Sequence, residues 1–162
     1  MSSVHEFAVE DLSGNKVDLG NYRGKVLLLV NVASQCGYTK QYENMVALHE
    51  RFAPQGLAVV GFPANNFGQQ EPGTNAEIAA FCSTRYAVSF PMFAKVSVKG
   101  GDQHPLFQHL TSAANPDFTG DIEWNFEKFL VGKDGRLLRR FRSAALPDGP
   151  EISAAVAQAL TS

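Results

Sequence analysis

The sequence predicts an α/β fold, a mixed β-sheet with helices on both faces, and three observations predict it. Residues 26–33 and 57–62 are apolar almost without a break, the pattern of strands buried on both faces. Between and after them run segments whose apolar residues recur at helical spacing. Near the C-terminal end, residues 129–131 and 137–141 flank the turn Lys133-Asp134-Gly135, which reads as a β-hairpin. The 162 residues suit one domain spanning 1–162, and 44% hydrophobic against 19% charged residues is enough to form a core. The formal net charge of −2 gives no footprint for nucleic acid or an acidic membrane surface.

In chain order, Phe7-Ala8-Val9 and Val17-Asp18-Leu19 around the turn Ser13-Gly14-Asn15 form an N-terminal β-hairpin. Gly24-Lys25 leads into the first buried strand. Tyr42, Met45, Leu48 and Phe52 mark a helix that Pro54 and Gly56 stop. The second buried strand follows, and then a long polar loop, 63–73. Asn75 is expected to cap a helix carrying Ile78, Phe81 and Tyr86. Phe90-Pro91-Met92-Phe93 reads as a short strand, residues 105–113 as a helix and 151–160 as a closing helix. This order fits a thioredoxin-like core enlarged at its N-terminus and in its middle. Lys128, Lys133, Arg136, Arg139, Arg140 and Arg142 make the last hairpin basic. It reads as a solvated edge that resists pairing with other sheets, the alternative being a docking patch for a reductant protein or an anionic headgroup.

No apolar run approaches the roughly 20 residues that cross a membrane. The opening Met1-Ser2-Ser3-Val4-His5-Glu6 lacks the basic and apolar regions of a secretory leader, so a cytoplasmic location is expected. Two cysteines cannot make a disulfide framework, and each is then either a packing residue or a reactive thiol. Cys36 falls in the turn between the first buried strand and the helix after it, beside Gly37. Unpaired backbone N–H groups and the helix dipole there favour thiolate, so the reactive reading is preferred. Thr39 stands where a C-x-x-C motif would carry its second cysteine, which rules out a local dithiol. Cys82 lies one helical turn from Ile78 and from Tyr86, the position of a packed, inert thiol. His5, His49, His104 and His109 show no zinc spacing, and no glycine-rich phosphate loop occurs. Neither a metal nor another cofactor is expected.

Three segments then carry a resemblance. Asn31-Val32-Ala33-Ser34-Gln35-Cys36-Gly37-Tyr38-Thr39, Gly61-Phe62-Pro63-Ala64-Asn65-Asn66-Phe67-Gly68-Gln69-Gln70-Glu71-Pro72-Gly73 and Trp124-Asn125-Phe126-Glu127-Lys128-Phe129-Leu130-Val131 resemble the glutathione peroxidases, in the right order and across nearly the whole chain. The resemblance implies that Cys36 reduces peroxide and that Gln70, Trp124 and Asn125 complete the catalytic set. The chemistry explains such a set. Two amides and an indole offer N–H groups without a buried counter-charge. Pointed at sulfur, they stabilise the thiolate and then the departing oxygen. Where the family commonly reads Phe-Pro-Cys-Asn-Gln-Phe, this chain has Ala64 and Asn66. Cys82 is thereby left as the only partner for Cys36, and its segment resembles the region where cysteine-type members carry a resolving cysteine.

The implied activity is reduction of H2O2 and organic or lipid hydroperoxides. Cys36 becomes a sulfenic acid, Cys82 condenses with it to a disulfide, and thioredoxin or glutathione restores both thiols. A peroxide-sensing relay and a general thiol–disulfide oxidoreductase are the alternatives, the latter disfavoured by Thr39. Tetrameric members carry an extra segment before the Trp-Asn pair, which residues 102–123 here do not accommodate, so a monomer with an open site is expected.

Overall fold

The computed structural model describes residues 3–162. Met1 and Ser2, on which the leader expectation begins, lie outside the described residues. The chain forms β1 (Ala8–Glu10), β2 (Lys16–Asp18), β3 (Val26–Val32), α1 (Gln41–Phe52), β4 (Leu57–Pro63), α2 (Asn75–Arg85), α3 (Pro105–Ser112), β5 (Lys128–Val131), β6 (Leu137–Phe141) and α4 (Pro150–Leu160). The central sheet has the order β4-β3-β5-β6. β3 runs parallel to β4 and antiparallel to β5, which makes the sheet mixed.

Strand alternation sorts the apolar side chains into two cores. Val26, Leu28, Val30 and Val32 of β3 join Met45, Leu48 and Phe52 of α1 and Ile152 and Val156 of α4. Leu27 and Leu29 point the other way, to Leu106, Phe107 and Leu110 of α3. All seven residues of β3 and of β4 are buried, as the unbroken apolar runs require. Truncating Leu28 to Ala would cost about 2–5 kcal/mol, the usual range for a buried leucine.

Three local expectations need correction. Thr74, not Asn75, caps α2: Glu77 N donates to Thr74 Oγ1 at 3.2 Å and Thr74 N to Glu77 Oε1 at 2.9 Å, a reciprocal pair. Asn75 instead uses its Oδ1 to accept from Lys95 N at 2.9 Å. The segment around Met92 forms no full strand. Met92 bridges Gly61 and Phe93 bridges Asp11, because Pro91 lacks an N–H to extend the ladder. The contact needs Gly61, since a Cβ there would stand 2.4 Å from Met92 Sδ.

The third correction concerns the basic hairpin. β6 is the sheet edge, yet Lys128 and Arg140 are fully buried. Residues 117–123 fold back over the edge and supply partners. Arg140 N donates to Asp117 Oδ2 at 2.9 Å, and Arg140 Nη1 donates to Gly120 O at 2.9 Å. The Arg140 guanidinium pairs with the buried Glu127 carboxylate, which also takes Arg142 at 2.7 Å. Lys128 and Arg140 are thus buried rather than solvated, while Lys133 and Arg136 stay exposed and Arg139 and Arg142 partly so; covering part of an edge is one of the ways native sheets avoid open pairing.

Candidate active site

Because β3 and β4 are parallel and β5 is antiparallel to β3, the loops after β3 and β4 and the turn before β5 emerge at one end of the sheet. Each carries part of the expected set. Cys36 is 9% exposed in a turn wired by Thr39: Cys36 N donates to Thr39 Oγ1 at 2.9 Å, and that hydroxyl donates to Ala33 O at 2.7 Å. α1 begins only at Gln41. The N–H that reaches sulfur is therefore that of Tyr38, at 3.3 Å, within the turn rather than in the first turn of the helix as expected. It remains a donor aimed at the thiol, where negative charge is wanted.

Gln70 lies in the loop between β4 and α2. Its carbonyl accepts from Gln35 N at 3.0 Å, which ties it to the residue before Cys36. Its Oε1 accepts from Asn125 Nδ2, also at 3.0 Å. That bond fixes Gln70 with its own Nε2 left as the donor. Sequence reasoning expects the three side chains to surround the sulfur, with N–H groups of at least two directed at it. The Asn125 N–H goes instead to Gln70, and among the described residues the sulfur's hydrogen bond comes from Tyr38 N. Asn125 is fully buried, and its Oδ1 has no partner.

Trp124 is 37% exposed and packs against Phe67, ring centroids 5.9 Å apart. Gly68 lies beneath the indole at φ +62°, and a Cβ there would come within 3.1 Å of the ring. Glycine meets both demands, the left-handed backbone and the close approach. The turn itself is held by Asn31 of β3: Asn31 Nδ2 donates to Trp124 O at 3.2 Å, and Glu127 N donates to Asn31 Oδ1 at 3.0 Å. A polar residue inside an apolar strand was the signal available for Asn31. Asn66 turns away from the site, bonding Ser97, Val98 and Lys99.

Cys82 is on the buried face of α2, in the same core as Cys36. Burial pushes its thiol up, the Tyr42 hydroxyl beside it pulls down and the Glu71 carboxyl adds to the upward shift. Glu71 follows Gln70 directly and is itself 1% exposed with Oε2 unpartnered. Burial raises its pKa, partly offset by Ser34 and by the Lys95 charge. It lines a cavity of about 350 Å³ between the Cys36 turn, at Ser34 and Gln35, and α2, at Ile78 and Phe81. Cys36 and Cys82 are both free thiols. Among the described residues no cluster of His, Cys, Asp and Glu is placed to hold a metal.

Comparison with known proteins extends this geometry. The glutathione peroxidase family profile matches residues 4–111. The hydroperoxy fatty acid reductase of Synechocystis sp. is 49% identical, over 98% of this chain and 96% of its own. The glutathione peroxidase homolog BsaA of Halalkalibacterium halodurans is 48% identical, over 90% and 92%. Among solved structures, that of Trgpx in its apo form has a TM-score of 0.81 at 35% identity, covering 99% of this chain and 97% of its own. A thiol:disulfide interchange protein of the thioredoxin family from Chlorobium tepidum superposes with a TM-score of 0.67 at 17% identity, over 95% and 92%. The fold is thioredoxin-like.

Proposed function

The chain belongs to the glutathione peroxidase family, and from that premise we propose that it reduces hydroperoxides through Cys36, with Gln70, Trp124 and Asn125 as the supporting set and Cys82 as the resolving thiol. It is a thiol peroxidase, an oxidoreductase that acts on hydroperoxides with thiol reductants. The Cys36 thiolate attacks the terminal peroxide oxygen, the O–O bond breaks, and the alkoxide or hydroxide leaves with a proton as alcohol or water. Cys36 is left as a sulfenic acid. Cys82 then forms the S–S bond, expelling water, and a dithiol reductant of thioredoxin type returns both cysteines to thiols.

The observation that carries the reading is the bond between Asn125 Nδ2 and Gln70 Oε1, with Gln70 O tied to Gln35 N beside Cys36. It presents Gln70 Nε2 as a neutral, preorganised donor for the leaving oxygen. The half-exposed rings of Trp124 and Tyr38 support an open rim that admits fatty-acyl hydroperoxides as well as H2O2. A monomer formed by one domain, 1–162, working in the cytoplasm is the form of the protein this reading uses. A reducing compartment keeps both cysteines as thiols between turnovers.

The test is mass spectrometry after one equivalent of peroxide. A 36–82 disulfide in wild-type protein is expected. Sulfenic or sulfinic Cys36 without that disulfide would make Cys82 a packing residue and the enzyme one-cysteine.

A further inference from the structure

Lys128 is a buried cation that peroxide reduction, as described above, does not use. It is fully buried at the start of β5, with apolar Val30 and polar-free Phe141 as its register partners. Its ammonium donates to Gln41 Oε1 at 2.7 Å and to Ser143 O at 2.9 Å. Gln41 Nε2 donates to the same carbonyl at 2.8 Å, closing a small triangle.

Each corner of that triangle leads to one half of the site. Gln41 opens α1, and its N–H donates to Tyr38 O at 2.8 Å. Tyr38 N in turn donates to Cys36 Sγ. On the other side, Ser143 Oγ donates to Asn125 O, and Asn125 Nδ2 holds Gln70. The Cys36 turn and the Asn125 turn meet at one Nζ. An apolar side chain here would leave Gln41 Oε1 without its donor.

We infer that Lys128 is a positioning residue for peroxide reduction, its ammonium holding the Cys36 turn and the Asn125–Gln70 pair at a fixed spacing through Gln41 and Ser143. The inference rests on the proposed roles of Cys36, Gln70 and Asn125. It also carries its own signature. Burial lowers the Lys128 pKa to about 7, opposed by the charge of Glu127, which is itself paired with Arg140 and Arg142. Gln41 and the register partners contribute no charge. Below that pH the two bonds are charge-assisted; above it they weaken.

Trp124 is the single tryptophan and sits next to Asn125, so its emission reports the loop that the strut holds. In a Cys36→Ser background, which removes the active-site thiol titration, emission should change with a midpoint near that of Lys128. Lys128→Met should abolish the inflection. Burial lowers His5, His49, His104 and His109 below their ordinary value, so they titrate at lower pH. With Cys36 present, Lys128→Met should slow oxidation by one equivalent of peroxide about tenfold, the kinetic weight of one charge-assisted bond, while cooperative melting is retained.

A folded Lys128→Met that oxidises within twofold of wild type, or keeps the inflection, overturns the inference. Should that variant fail to fold, labelled-lysine NMR on the wild-type chain decides. One lysine titrating near neutrality with the Trp124 emission following it supports the strut; all lysines titrating above pH 9, or emission that does not follow, refutes it. Gln70→Ala measured alongside separates the two readings. If it too leaves oxidation unchanged, the site assignment has failed; if it slows oxidation while folded Lys128→Met does not, only the role of Lys128 has.

Discussion

α1 and α2 are nearly equal in length, 12 and 11 residues, but they are anchored very differently. α1 buries Gln41, Tyr42, Met45, Leu48 and Phe52, whereas α2 buries Ile78 and Cys82 alone. At about 1.5–3 kcal/mol per large apolar side chain, the difference amounts to several kcal/mol of tertiary anchoring. α2 is fixed at its start by the Thr74–Glu77 pair and strained past its end, where Ala87 adopts φ +48°. Cys82 O there receives both Tyr86 N and Val88 N. The turn that presents Cys36 thus leads into the firm helix, and Cys82 rides on the loose one. The difference suits the proposed order of events: attack on peroxide needs a fixed sulfur, and resolution needs a mobile one.

The largest effect should come from the fixed side. Cys36→Ser is expected to abolish peroxide consumption, since a hydroxyl is scarcely ionised near neutral pH; steady-state activity within tenfold of wild type would remove Cys36 from the chemistry. Next comes the mobile side. Cys82→Ser should react with the first equivalent of peroxide at close to the wild-type rate and then stall, over-oxidising to sulfinic acid with excess peroxide. Thioredoxin-supported turnover should collapse. Unimpaired turnover with thioredoxin would leave the contrast between the helices without a functional meaning.

A smaller loss is expected at Thr39, whose hydroxyl wires the Cys36 turn through two bonds. Thr39→Val keeps the shape and removes both, stranding the Cys36 N–H. At about 1–3 kcal/mol for an unsatisfied buried donor, part of it felt in the transition state, stopped-flow oxidation should slow roughly tenfold. A rate equal to wild type would mean that the turn holds without Thr39.

Thr39 also marks where the sequence stops being legible. In sequence it reads as the absence of a second cysteine; only the folded turn gives it a positive role. The strands and helices were readable because their signals are local: an unbroken apolar run in β3, helical spacing in α1, a turn triplet before β6. The converging loops were readable through long motifs. The fates of Lys128 and Arg140 were not. Their partners, Gln41 and Ser143 for one and Gly120 and Glu127 for the other, come from segments distant along the chain or brought in by the fold, and no local pattern encodes that. Asn75 and Thr74 were confused for a milder reason, since both residue types favour the cap and only the reciprocal bonds of Glu77 decide between them.

The finest test of the comparison lies at Ala87. A residue with a Cβ in the left-handed region pays about 1–2 kcal/mol there, and glycine relieves that strain while gaining some freedom in the opened state. Ala87→Gly should therefore steady the closed end of α2 by a net 0.5–1 kcal/mol or about that, a factor of roughly two to five in the opening equilibrium. Cys82 must leave its buried face before its sulfur can meet Cys36, because a disulfide needs Cα atoms within about 7 Å and aligned Cβ vectors. If that opening is a rapid step before resolution, disulfide formation should slow by the same factor, while the first oxidation of Cys36 is untouched. Hydrogen exchange across residues 77–86 should slow in parallel. Slower exchange with unchanged disulfide formation would show that the opening of α2 is not on the path to the 36–82 disulfide.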